Sequence, residues 1–280
     1  MVHQKSPFSL KDAGLILNPK GGKNTKEAFL LLAFAKHAGL EIRLGSNFKE
    51  LLYATEKLLS LSKKILFISG GDGTVSAVLT ACLRKGRKPA FAVLPGGTTN
   101  LIAWDVSRPR GQLSIFQRFL KGFPPLVRER KALRIEPHGL YGLFCGAGLL
   151  AEGVRLYNLR RIRSGKRGLK NALPVTLRLL LKGVKNGRES LIFGSPPQKA
   201  QAAIFTTLEK VFVSLRPFFQ KPCAEIKVGL FPRTILPLFV SCEEKIALRT
   251  EILALDGEII ENKGVPFIIK AADRVVFYTW

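Results

Sequence analysis

Histidine is scarce in this chain of 280 residues, with His3, His37 and His138 far apart. A histidine-based catalytic triad or metal site therefore has no support. The four cysteines, Cys82, Cys145, Cys223 and Cys242, never fall at the two-residue spacing of a zinc knuckle. They read as reduced thiols of a cytosolic protein, where disulfides are rare. Long apolar runs are also lacking: the longest, Ala28 to Ala35, is too short to cross a bilayer. The polar start Met1-Val2-His3-Gln4-Lys5 leads into no signal-peptide core. The expectation is a soluble, cytoplasmic protein. Acidic residues are few as well, 20 Asp and Glu against 45 Lys and Arg, and the formal net charge of +25 attracts polyanions. Nucleic acid, anionic lipid headgroups and phosphorylated small molecules all fit that charge.

What is present is a globular composition, 46% hydrophobic, with enough length for two domains. The first half alternates strand and helix patterns. Ala13 to Leu17, Glu41 to Leu44, Ile65 to Ile68 and Ala90 to Leu94 read as strands, with helices predicted over Thr25 to Ala38, Phe48 to Leu61 and Thr74 to Leu83. Such repetition predicts a parallel sheet covered by helices. The second half reads mainly as strands: Ala132 to Glu136, Gly142 to Cys145, Gln201 to Phe205, Glu225 to Leu230, Leu238 to Ser241 and Ile246 to Leu255. Only Leu149 to Asn158 and Ala172 to Lys185 look helical there. Pro124-Pro125 breaks the preceding helix and marks the boundary. The predicted architecture is an α/β N-terminal domain with a parallel sheet, residues 10–125, and a β-rich, sandwich-like second domain, residues 126–280. The last strand, about 273–280, is expected to return to the first domain.

Three glycine-rich loops directly follow predicted strands: Asn18-Pro19-Lys20-Gly21-Gly22-Lys23, Gly70-Gly71-Asp72-Gly73-Thr74 and Pro95-Gly96-Gly97-Thr98-Thr99-Asn100. Ligands of open parallel sheets bind beyond the carboxyl ends of strands, so these loops are expected to line one crevice. Glycine lets backbone amides approach an anion, and a helix opening after the loop adds its positive end. Thr98, Thr99 and Asn100 supply neutral groups suited to phosphate and ribose oxygens. The loop at Gly70 is neither a P-loop nor a dinucleotide turn, because it has no Gly-Lys-Ser/Thr ending and no dinucleotide fingerprint in register. Asp72 beside a phosphate needs its charge offset. A bridging Mg²⁺ would do so, or Asp72 would take a proton from an acceptor hydroxyl; a plain turn aspartate is the alternative. Leu255-Asp256-Gly257-Glu258, between apolar runs, reads first as a hairpin turn.

Together these residues resemble the diacylglycerol kinase catalytic family of lipid kinases. The resemblance lies in Gly-Gly-Asp-Gly-Thr-Val at 70–75, Leu-Pro-Gly-Gly-Thr-Thr-Asn at 94–100 and Leu-Asp-Gly-Glu at 255–258, with Asn18-Pro19 as the first loop. The stretch from Thr206-Thr207-Leu208 through Leu215-Arg216-Pro217-Phe218-Phe219 also looks like a second-domain segment of bacterial members. The resemblance implies an ATP-binding domain, a β-rich domain, a cleft between them, and a phosphotransferase acting on an alcohol. It implies nucleotide contacts from Asn18, Gly70, Gly71, Asp72, Gly73, Thr74, Val75, Ser76, Gly96, Gly97, Thr98, Thr99 and Asn100. Glu258 becomes the candidate base, Asp72 the second choice, and Asp72 with Asp256 the candidate Mg²⁺ ligands. Two positions depart from the pattern: Leu101 stands where many members have aspartate, with Asp105 one turn later, and Leu44-Gly45-Ser46 replaces a threonine.

The expected partner is a lipid at an anionic membrane surface, giving peripheral membrane association. Between Arg155 and Arg188 there are eleven basic residues and no acidic one, with Leu173, Leu177, Leu180, Leu181 and Val184 at helical spacing. This pattern suits membrane docking, and equally a core-facing helix with a solvated basic side. Phe212, Phe218 and Phe219 are candidates for lining a lipid slot. No nucleic-acid reading motif is evident, and a homodimer stays open. Two other readings compete with a lipid kinase: a soluble-metabolite kinase of the NAD kinase type, and a non-catalytic module binding anionic lipid or nucleic acid.

Overall fold

The computed structural model describes residues 8–21, 25–107, 111–164, 178–179, 181, 191–193, 198–209, 225–231, 238–262 and 264–280. The chain divides into two compact units, residues 1–130 with 274–280, and residues 131–273.

The first unit contains β1 (Ala13–Leu17), α1 (Thr25–His37), β2 (Glu41–Leu44), α2 (Phe48–Ser60), β3 (Ile65–Gly70), α3 (Asp72–Arg84), β4 (Ala90–Pro95), α4 (Leu101–Val106) and α5 (Gln112–Leu120), and ends within β5 (Leu126–Glu136). The strands run in the order β2-β1-β3-β4, all parallel. Parallel pairing requires helical crossovers that cover the sheet, so β1 and β3 are buried on both faces. That is why their sequences are continuous apolar runs rather than alternating ones. Phe67 sits at the centre of the core, with Phe116, Phe119 and Trp280 around its ring. Asn47 starts α2 by accepting from the Glu50 amide, as an N-cap should. The carboxyl ends of β1, β3 and β4 all lead into glycine-bearing loops.

The second unit adds β6 (Leu140–Gly142), β7 (Phe144–Gly148), α6 (Leu149–Ser164), β8 (Leu191–Phe193), β9 (Gln198–Ala200), β10 (Ala202–Thr206), β11 (Ile226–Phe231), β12 (Leu238–Glu243), β13 (Lys245–Arg249), β14 (Ile252–Leu255), β15 (Glu258–Glu261) and β16 (Phe267–Thr279). Six strands form an antiparallel sheet in the order β12-β11-β10-β7-β14-β15. The start of β16 pairs with β13, and β13 with β8, in a second layer. Leu133, Ile246, Leu248, Phe267 and Ile269 from this layer share one core with Cys145, Phe205, Val228 and Leu253 from the six-stranded sheet. The predicted sandwich is present. β13 alternates exposed and buried residues along its length, the pattern of a half-buried strand. The end of β16 runs parallel to β4, with Phe277 opposite Phe91.

The single strand expected over Ile246 to Leu255 is interrupted at Thr250-Glu251, because β13 and β14 belong to different sheets. The helix expected from Thr74 begins at Asp72. The helix expected over Ala172 to Lys185 lies outside the described residues apart from Arg178, Leu179 and Leu181. No described helix is long and apolar enough to cross a membrane. Cys82 and Cys145 are free and buried, as expected of structural thiols. Cys242 is disulfide-bonded, which corrects the reading of four reduced thiols.

Candidate functional site

The three glycine loops of the first unit meet backbone to backbone. A Cβ on Gly97 would collide with the Cα of Gly71, and one on Gly21 would lie 2.9 Å from the carbonyl oxygen of Gly96. The Gly96 amide donates to the Gly70 carbonyl at 2.8 Å, and the Asn18 amide to the Ser69 carbonyl at 2.8 Å. Glycine is required here because no side chain fits between the strands' ends. Asn18 also donates from Nδ2 to the Thr74 hydroxyl at 3.1 Å, joining the first loop to the start of α3. Gly71 sits in extended conformation at the N-cap of α3 and brings no capping side chain. The opening turn of this helix of 13 residues therefore faces the loops without a side-chain cap of its own.

Asp72 is 7% exposed. Its Oδ1 accepts from the Ile102 amide at 3.0 Å, and its Oδ2 accepts from the Leu101 amide at 3.1 Å and the Thr99 hydroxyl at 2.7 Å. The carboxylate thus caps α4 from a distant part of the chain and ties the second loop to the third. Burial pushes its pKa above the ordinary carboxylate value, against the opposing pull of these three donors. Asn100 adopts a left-handed conformation, φ 51° and ψ 40°. Its side chain brackets Gly97, accepting from the Gly97 amide at 2.7 Å and donating to the Gly97 carbonyl at 3.0 Å. Asparagine suits such a position because it tolerates left-handed backbone and bonds locally.

The remaining candidates differ in where they stand. Thr98 and Thr99 are half-buried on the third loop. Thr74, Val75 and Ser76 are buried in α3. Leu101 offers no carboxylate, but its amide serves Asp72. Asp105 is fully buried and paired with the Arg130 guanidinium at 2.7 Å, a structural tie between α4 and β5. Sequence reasoning missed Arg130, since nothing near it in the chain marks a buried partner. It also missed Gln112, whose Oε1 accepts from the buried Ser69 hydroxyl at 2.6 Å just before the second loop. Ser46, at the departure from the family pattern, donates its amide to Glu50.

In the second unit, β14 and β15 form a hairpin in which Leu255 pairs with Glu258. Asp256 and Gly257 both take positive φ, 48° and 91°, the backbone of a tight two-residue turn. The predicted hairpin is therefore present. The Asp256 carboxylate accepts from the Leu143 amide at 3.1 Å and the Phe144 amide at 2.9 Å. Gly142 is small because a Cβ there would strike that carboxylate. Asp256 thus fastens the turn to the β6–β7 link, and Glu258 is exposed at the start of β15. Phe212, Phe218 and Phe219 lie outside the described residues, as does most of the basic stretch 155–188; within it, Arg155 is paired with Glu152 at 2.7 Å.

A resident metal does not fit well. The Asp72 and Asp256 carboxylates are already engaged by protein amides. Among the described residues, no group of three or more His, Cys, Asp or Glu side chains gathers.

Over 112 residues the chain is 31% identical to a Klebsiella pneumoniae protein named probable lipid kinase YegS-like, covering 39% of this chain and 37% of that one. Over 116 residues it is 28% identical to a Staphylococcus saprophyticus diacylglycerol kinase, covering 40% and 38%. The matches span little more than a third of those relatives. A solved diacylglycerol kinase from Bacillus anthracis shares the fold, with a TM-score of 0.63 at 15% identity over 95% of both chains. Residues 12–124 match the diacylglycerol kinase catalytic domain, the part of the chain that carries the glycine loops.

Proposed function

We propose that the chain is a lipid kinase that transfers the γ-phosphoryl group of magnesium–ATP to a hydroxyl of a lipid such as diacylglycerol. The observation that carries this reading is the backbone contact of Gly71 with Gly97 and of Gly21 with Gly96. These contacts gather three loops at the ends of parallel strands, beside the opening turn of α3. Such a cradle suits phosphates, because backbone amides and a helix N-terminus bind anions without a charged side chain. The similarity to a protein named a probable lipid kinase and to one named a diacylglycerol kinase supports a lipid acceptor.

In this reading the loops hold and orient the phosphates, and Asp72 keeps the second and third loops in register. Glu258 takes the proton of the acceptor hydroxyl. The hydroxyl oxygen then bonds to the γ-phosphorus as its bond to the β,γ-bridging oxygen breaks, and ADP departs with that oxygen. Glu258 suits the role because it is exposed, yet mounted on a turn that Asp256 holds rigidly. Docking on anionic membrane through the basic stretch, with the protein otherwise in the cytoplasm, belongs to the same proposal. Transfer of labelled phosphate from ATP to diacylglycerol in mixed micelles tests it. Phosphorylation of NAD, with none of any lipid alcohol, would move the assignment to a soluble-metabolite kinase.

A further inference from the structure

Helix α1 is apolar on two sides. Its inner side, Ala28, Leu31 and Ala35, is buried in the core of the first unit. Its outer side carries Phe29, Leu30 and Phe34, which are 68%, 53% and 42% exposed. At 100° per residue Phe29, Ala33, Leu30 and Phe34 fall on one continuous face. A helix apolar all round is ordinarily buried, so this face calls for a partner. Its ends carry a consistent charge. Lys26 lies on the face at the first turn, with Lys36 and His37 at the last, and all three are exposed.

We propose that this outer face of α1 is a membrane-docking surface, lying in the plane of an anionic bilayer with Phe29, Leu30 and Phe34 in the acyl boundary. Charge selects the occupant. Lysines at both ends of the apolar face complement anionic headgroups, and the protein as a whole carries +25. A second copy fits worse. Antiparallel pairing of two α1 faces would bring Lys26 against Lys36 and His37, and parallel pairing would bring Lys26 against Lys26. The proposal concerns a different part of the chain from the basic stretch at 155–188, and it does not depend on the reaction proposed above.

The test is co-sedimentation of the full chain with vesicles of phosphatidylglycerol and phosphatidylcholine, compared with phosphatidylcholine alone. The triple variant Phe29→Ser, Leu30→Ser, Phe34→Ser should bind the anionic vesicles at least about tenfold more weakly. It should keep its melting temperature, since these side chains contribute little to the core. The variant Lys26→Glu, Lys36→Glu should bind the anionic vesicles more weakly than the wild type and with a smaller dependence on salt. Phosphorylation of a dispersed short-chain diacylglycerol should be unchanged in both. Wild-type vesicle binding by the triple variant would overturn the proposal. A change in sedimentation mass without any change in vesicle binding would also overturn it, and would assign the face to a second copy. If the wild type binds vesicles through α1 but phosphorylates no lipid alcohol, the docking surface stands and the proposed reaction fails.

Discussion

Replacing Asp72 by asparagine changes one atom and reverses the role of one position. The carboxylate presents two acceptors to three donors, the Ile102 amide on Oδ1 and the Leu101 amide and Thr99 hydroxyl on Oδ2. Whichever way an asparagine amide turns, its NH₂ group faces a backbone N–H of α4. A buried donor left without an acceptor costs about 1–3 kcal/mol. For a domain of this size that is a fall of about 2–4 °C in melting temperature per kcal/mol. The pH dependence has a definite sign. Burial raises the folded pKa of Asp72, so the folded state holds its proton more tightly than the unfolded chain. The wild type therefore loses stability as pH rises from the unfolded value towards the folded one, while Asp72→Asn has no such slope. Loosened loops should also misplace the phosphates, lowering turnover by about 100-fold together with ATP affinity. Thermal melts across pH, nucleotide titration and phosphoryl-transfer rates read all of this. A variant with wild-type stability and ATP affinity but no turnover would refute the clamp and place Asp72 at the chemistry itself.

Three further outcomes follow from the same geometry. Gly97→Ala forces a methyl group into the Cα of Gly71; ATP binding should be lost with destabilisation of about 1–3 kcal/mol, measured by calorimetry and melts. Glu258→Gln, at an exposed position, should keep stability within about 0.5 kcal/mol and lose turnover by about 100-fold or more, read from kcat at saturating ATP. Burial pushes the Cys82 and Cys145 thiols well up, so neither should react with a thiol reagent at neutral pH until the protein is denatured.

Much of the first unit was legible because parallel strands buried on both faces leave an unmistakable apolar run, as at Ile65–Ile68, and because backbone contact demands glycine at Gly71 and Gly97. The hairpin at Asp256-Gly257 was legible for a related reason: positive φ at two successive residues is cheap for that pair. The role of Asp72 was not. Two of its three partners are backbone amides, which every residue has, so no sequence pattern marks them. Asp105 and Arg130 pair across 25 residues without a local signal. The start of α3 was placed late because a glycine N-cap in extended conformation gives no side-chain stop sign. The break at Thr250-Glu251 was missed because consecutive strands that enter different sheets can carry one continuous β-like pattern. The outer face of α1 was hidden in an apolar run that is ordinarily read as core.

The most direct measurement is transfer of labelled γ-phosphate from magnesium–ATP to diacylglycerol in micelles containing phosphatidylglycerol, with Glu258→Gln alongside. Labelled phosphatidate from the wild type and about 100-fold less from the variant is the predicted result. No labelled product from any of a panel of lipid alcohols, by a folded wild-type protein that binds ATP, would contradict it.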